Sequence, residues 1–164
     1  MLALSLITVA AVFFAGMARV WRIAGVGHGI LLRELLAFSG GWLALVVALL
    51  SPLDEWSETL FLAHMAQHEL LMVVAAPLIA LSSPLFALLW ALPAPARRRL
   101  AVAVRRPAIV SGWAILTAPP TVWILHAVAL WIWHLPSLYD AALEHEGVHA
   151  TQHLCFFLTA ALFW

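Results

Sequence analysis

The sequence predicts an all-α fold: a polytopic transmembrane helical bundle of about five spans, forming a single domain over residues 1–164. Three observations carry this. Of the 164 residues, 65% are hydrophobic and only 10% are charged, whereas soluble domains run near a quarter charged. Several apolar runs approach the roughly 20 residues that a helix needs to cross a bilayer, and the polar segments between them are too short to build a soluble domain. The charge of those segments also alternates in sign along the chain.

The first span is expected over roughly Leu2–Ala18, followed by a basic loop, Arg19–Glu34, that contains Gly25, Gly27 and Gly29. The second runs over roughly Leu35–Leu50 and ends in a short acidic turn, Ser51–Ser57. The third extends from about Glu58 to Leu81 and carries Pro77. Ser82-Ser83-Pro84 break it, and Leu85–Leu92 is too short to cross, so that piece reads as an interfacial helix leading into a basic Arg97–Arg106 loop. The fourth span covers roughly Ala108–His134 and is interrupted by Pro119-Pro120. Such a pair removes backbone donors and breaks a helix, a defect tolerated in membranes where neighbours re-satisfy the backbone, often near sites. An acidic loop, Leu135–Gly147, leads to the fifth span, which starts near Val148 and is still running at Trp164. With no basic flank or polar tail there, a longer protein is expected to continue past Trp164. No internal repeat or low-complexity segment is evident.

All eight basic residues are Arg, in two clusters: Arg19, Arg22 and Arg33, then Arg97, Arg98, Arg99, Arg105 and Arg106. Asp54, Glu55 and Glu58 make one acidic segment, and Asp140, Glu144 and Glu146 the other. The excess of Arg in cytoplasmic loops orients membrane proteins, so the basic loops are expected inside and the acidic loops and the N-terminus outside. The N-terminal run lacks the positive start of a signal peptide, and Arg19 and Arg22 read as its cytoplasmic stop. Trp56, Trp131 and Trp133 then fall at the outer interface and Trp21 and Trp90 at the inner one, as an aromatic belt requires. The single cysteine, Cys155, excludes an intrachain disulfide and any Cys-rich metal motif.

The chain has eight His, many for so few charges. At about 1.5 Å of rise per residue, His134 and His145 lie at the outer surface and His149 slightly deeper. His64 and His153 lie roughly 8–10 Å in, and His68 and His126 roughly 12–15 Å in. His64 and His68 share one helix face, and His145, His149 and His153 form a ladder at i, i+4, i+8. Ionisable groups in a bilayer are costly and point to function. Imidazole suits several transition metals and thioether selects Cu(I), so with Met65 the pattern His64, His68, His126, His134, His149 and His153 suggests a copper site. Gln67 and Glu69 are candidates to orient imidazoles, and a mid-span Glu69 needs a partner.

Each residue also has a plainer reading. Met65 and Met72 serve packing as readily as ligation, His134 and His145 are interfacial, and His149 can cap a helix entry. Cys155 points about 200° away from His153 and reads as a small buried residue. His28 reads as a solvated loop residue, and the Arg clusters as topology anchors touching anionic lipid.

Four segments carry a family resemblance: Ser51-Pro52-Leu53-Asp54; His64-Met65-Ala66-Gln67-His68 with Ala76-Pro77-Leu78; Trp133-His134-Leu135-Pro136 with Leu138-Tyr139-Asp140; and His153-Leu154 with Leu162-Phe163-Trp164. Over roughly residues 40–164 the chain resembles the multi-spanning CtaG-like family of cytochrome c oxidase assembly factors, associated with caa3-type oxidases. This is not the single-pass copper chaperone that shares the name. The resemblance implies a multi-pass protein of the bacterial plasma (inner) membrane, not an enzyme, that helps to assemble the oxidase through copper delivery or insertion. Its partners would be oxidase subunits or copper donors, with no nucleic acid. His64, His68, His134 and His153 match the family's histidines by position, His126 and His149 less closely. Family members usually have further helices beyond the position of Trp164. Two rival readings are a b-type haem electron-transfer protein, because His pairs on facing helices ligate haem, and a transporter, suggested by the broken fourth span and Glu69.

The expected orientation has a direct test. In a Cys155→Ser background, a cysteine at Glu144 should react with a membrane-impermeant thiol reagent in intact cells, and one at Arg98 should not. The reverse pattern overturns the topology.

Overall fold

The computed structural model describes residues 2–57 and 59–164. The described residues form ten helices and no strand. Glu58, the expected start of the third span, lies outside the described residues.

Helix α1, Leu2–Ala24, runs a turn and a half further than expected. Arg19 and Arg22 therefore sit on its last turns, where a cation meets the negative end of the helix dipole. Gly25, Gly27 and Gly29 all have φ between 76° and 91°, a region open to glycine at little cost, and they turn the chain back. The Trp21 indole donates to the Ile30 carbonyl across this turn at 2.8 Å. Helix α2, Leu32–Leu50, follows, its entry fixed by the Leu31 amide donating to Glu34 Oε2 at 2.7 Å.

The expected acidic turn contains a short helix, α3, Pro52–Ser57. Helix α4, Phe61–Leu81, is the central element. It is α-helical as far as Glu69, widens into a π-helical stretch over Leu70–Ala75, and resumes as α-helix over Ala76–Leu81. Pro77 accounts for this. Its ring clashes with the carbonyl of an ordinary helical partner and it has no N–H to offer. In the widened ladder the Ala76 amide donates to the Leu71 carbonyl, so the next donor would be Pro77 and the next acceptor Met72. The Met72 carbonyl takes the Trp164 indole N–H instead, at 3.0 Å.

Ser83, at φ 51°, ends α4 in the left-handed region, and its hydroxyl donates to Glu34 Oε1 at 3.0 Å. Helix α5, Pro84–Ala91, corresponds to the segment expected at the interface; it packs along α1, with Ala87 fully buried. The expected basic loop Arg97–Arg106 is mostly helix α6, Ala94–Val104. The expected acidic loop Leu135–Gly147 is mostly helix α9, Pro136–Glu144. Both corrections have one reason: a proline in the first turn supplies a helical φ where its missing N–H is harmless, and Ala, Arg, Leu and Glu then propagate the helix.

Helices α7, Pro107–Leu116, and α8, Pro119–Trp133, meet at a 60° bend at Pro119-Pro120. Helix α10 is Glu146–Phe163. Among the described residues three helices (α1, α2 and α4) are long and apolar enough to cross a membrane, and the bent pair α7–α8 makes a fourth if it is one span. The expected count of about five is thus approximate. Helix α10, the expected fifth span, is polar through its first half, with Glu146, His149, Thr151, Gln152 and His153.

The core has three parts. Phe13, Met17, Phe38 and Ala87 join α1, α2 and α5; Ala44, Ala48, Leu71 and Ala75 join α2 and α4; Met72, Ala76, Phe156 and Ala160 join α4 and α10. The α1–α5 contact depends on Gly16, where an added Cβ would lie 1.9 Å from the Ala87 carbonyl oxygen. Forcing atoms into such a contact costs about 1–3 kcal/mol. Gly16→Ala should therefore lower the thermal midpoint of the detergent-solubilised protein. Gly112→Ala, where a Cβ meets nothing within 4 Å, should leave it unchanged or raise it, because alanine is the better helix former.

Candidate metal centre

Helices α4 and α10 enter the bundle side by side from the end that carries the acidic segments. Helix α4 brings His64 and His68, at 0% and 2% exposure, and α10 brings His153, at 7%; His149 is half-buried. Within each helix the two rings lie one turn apart, edge to face for His64 and His68 with centroids 4.3 Å apart and the planes at 68°, and tilted by 54° for His149 and His153 with centroids 4.2 Å apart. Across the helices His64 faces His149 at 5.4 Å with the ring planes 9° apart, and His68 faces His153 at 5.2 Å.

One ring nitrogen from each of His64, His68 and His149 lies within 4.8 Å of the others. Imidazole nitrogens bind metals at about 2.0–2.1 Å, which places tetrahedral ligand atoms roughly 3.4 Å apart. The three nitrogens would have to close in from their present separation to share one ion. Neither ring nitrogen of His68 has a hydrogen-bond partner, nor does Nε2 of His153. His64 lies by the Ser57 backbone but makes no well-formed hydrogen bond to it. A buried polar atom left unpaired costs about 1–3 kcal/mol, so bare nitrogens converging from two helices are what a metal site requires of its chain.

The walls are partly aromatic. The Tyr139 ring on α9 meets His64 at 5.6 Å and Phe156 meets His68 at 4.8 Å. His134, at the end of α8, is exposed, with its ring 6.3 Å from that of His68. Its Nδ1 lies 2.6 Å from the Leu130 carbonyl. A carbonyl only accepts, so this nitrogen is the donor. Gln67, expected to orient an imidazole, instead donates its amide N–H groups to the Ala48 carbonyl and to Asp54 Oδ1, each at 2.7 Å. It ties α2 and α3 to the turn of α4 that holds the histidines.

His126 stands apart from this group. It is half-buried, its ring meets Phe163 at 5.6 Å, and its Nδ1 lies 3.0 Å from Thr159 Oγ1. The Thr159 hydroxyl donates to the Cys155 carbonyl at 2.9 Å, so it accepts from His126. Thr159 is six residues beyond His153, about 9 Å further along α10. Depth counted along the fourth span put His126 level with His68; its contact with Thr159 sets it beside a deeper turn of α10 instead. Met65 is half-buried and sits about 100° around α4 from His64. Met72 packs in the core with Phe156. His145 and His28 are exposed, and so is Glu69. Tyr139 and Gln152 received no role from sequence reasoning. Gln152 is fully buried with neither amide atom hydrogen-bonded, and the signal was its place directly before His153, like Gln67 before His68.

A family model described as cytochrome c oxidase caa3 assembly factor matches residues 11–164. The chain belongs to that family. Among curated proteins and solved structures none matches. The family match reaches back from the motif-bearing region into α1, so the Gly16 contact and both histidine helices fall inside it. In this assembly factor the Gln67 clasp generates a prediction. Gln67→Leu leaves the Asp54 carboxylate and the Ala48 carbonyl without their donor, at about 1–3 kcal/mol for a buried acceptor. The thermal midpoint should fall measurably, and Asp54→Asn, which retains an acceptor oxygen, should fall less.

Proposed function

We propose that this assembly factor binds a copper ion at the convergence of His64, His68 and His149 and presents it to the oxidase during assembly, at the outer membrane face. The observation that carries the reading is the burial of His64 and His68 with no protein hydrogen bonds to occupy their rings, since a chain does not ordinarily leave such groups unsatisfied. Copper is the cargo. His64 and His68 are preset by α4, and His149 approaches from α10 on the side nearer the surface, where it can change partners first. Neutral imidazoles accept copper or zinc alike; membership of an oxidase assembly family favours copper. Charge bias puts the acidic end, and with it the mouth of the site, outside. Oxidase subunits or copper donors are the partners this requires, and no chemical step needs an enzyme. The close ring contacts leave no slot for a macrocycle between these histidines, which disfavours the haem alternative.

The test is copper content of the purified protein alongside oxidase activity of the host membranes. His64→Ala combined with His68→Ala should abolish both, and His28→Ala should change neither. Full copper retention in the double variant overturns the assignment of these residues. Normal oxidase assembly without bound copper overturns the mechanism.

A further inference from the structure

The motif His-x-x-Gln-His occurs twice, as His64-Met65-Ala66-Gln67-His68 and as His149-Ala150-Thr151-Gln152-His153. The three shared positions are each separated by 85 residues. The same shift carries the helices surrounding one copy onto those surrounding the other. Helix α2 (Leu32–Leu50), moved by 85, covers 117–135, where α8 (Pro119–Trp133) lies. Each is followed by a short helix with proline in its first turn, α3 and α9, and then by the histidine-bearing helix, α4 and α10. Leu53 falls on Leu138 and Ala75 on Ala160. Gln67 and Gln152, His68 and His153, Leu71 and Phe156, and Ala75 and Ala160 are all buried. Identity outside the motif is too sparse to read as a repeat in sequence; the order of the helices and the pattern of burial reveal it.

The two copies also face each other. His64 meets its counterpart His149 at 5.4 Å, and His68 meets its counterpart His153 at 5.2 Å. Parallel helices related by a translation would set the histidine face of one against the back of the other; here α4 and α10 turn the same face towards each other, which is the arrangement about a two-fold axis running between them. From this we infer that the metal site is a four-imidazole site on a pseudo-two-fold axis, built by two copies of one long-helix, short-helix, histidine-helix unit (residues 32–81 and 119–164), with His153 as its fourth ligand. The inference rests on the reading that the cluster binds metal, and it adds the ligand number and the pairing. His153, buried with a bare Nε2, lies outside the 4.8 Å triad of His64, His68 and His149 and would close in on the ion to fill the fourth position. Four neutral imidazoles suit an ion that accepts tetrahedral nitrogen coordination, such as Cu(I), Zn(II) or Co(II).

The copies differ where Asp54 is replaced by Tyr139. Gln67 has an acidic partner and Gln152 has none. Only the first half is therefore pinned to its short helix, while Tyr139 reaches across the axis to the His64 ring at 5.6 Å.

Co(II) alone, added to the purified full chain in detergent, tests this through its visible spectrum, which is intense for four-coordinate and weak for six-coordinate ions. The wild type should give the four-coordinate spectrum. His149→Ala should match His64→Ala, and His153→Ala should match His68→Ala, each weakening binding at least tenfold with loss of the intense bands; His28→Ala should resemble the wild type. Because removing a buried ring can unfold a bundle, the second variant is His153→Cys in a Cys155→Ser background, with helix content checked by circular dichroism. It should bind Co(II) with a new near-ultraviolet thiolate-to-metal band. Wild-type affinity and spectrum in His153→Ala, or a helical, Co(II)-loaded His153→Cys protein without that band, overturns the four-ligand site and leaves the three-histidine reading standing. Failure of the wild type to take up either Co(II) or Cu(I) overturns the metal reading itself, and this inference with it.

Discussion

The structure depends on one constraint: imidazole and amide groups buried between apolar helices must be satisfied by something, because an unpaired polar group there is costly. His64, Gln67, His68, Gln152 and His153 all lie inside the bundle. Gln67 alone is partly answered by the protein, through Ala48 and Asp54. Everything that positions α4 and α10 serves to bring the others together. The small residues Ala75, Ala76 and Ala160 let those two helices and α2 approach closely below the histidines, and α3 and α9 close over them at the acidic end. The centre of the fold is a polar cluster held by an apolar frame.

Much of the fold was legible in the sequence because apolar runs of bilayer length are a strong signal. α1, α2 and α4 lie where those runs are. The connecting segments were less legible. Proline reads as a breaker, but in the first turn of a helix it is a starter, and three segments expected as loops or turns are helices for that reason: Pro52–Ser57, Ala94–Val104 and Pro136–Glu144. Helix α10 shows the converse problem. The residues that make it interesting are the residues that make it a weak span.

The candidate site was legible to the extent that helical spacing alone determines it. An i, i+4 pair must share a face, so the pairing of His64 with His68 and of His149 with His153 could be read directly. Which helices face each other could not, because that depends on the bend at Pro119-Pro120 and on the turn through α9. His126 lies against Thr159, a deeper turn of α10 than His153, and counting residues along one span does not show which turn of another it meets. Tyr139 figured only as part of a motif, because it lies on a short helix that the sequence did not show to be a helix, and Gln152 drew no role because its histidine neighbours account for the polarity of that stretch by themselves.

The widened stretch of α4 has a mechanical consequence. Pro77 and the π-helical turn leave the Met72 carbonyl to the Trp164 indole, which fixes the tail of α10 to the middle of α4. The facing imidazoles fix the head of α10 to the upper part of the same helix. Two rods pinned at two separate points cannot slide: a slip of one helical turn, about 5.4 Å, would unseat the indole and the histidines together. The indole pin thus acts as an alignment key, setting the axial register of one half of the cluster against the other from well below it. Strain applied at the far end of α10, by whatever packs there, would be felt at the rings as a change in their spacing.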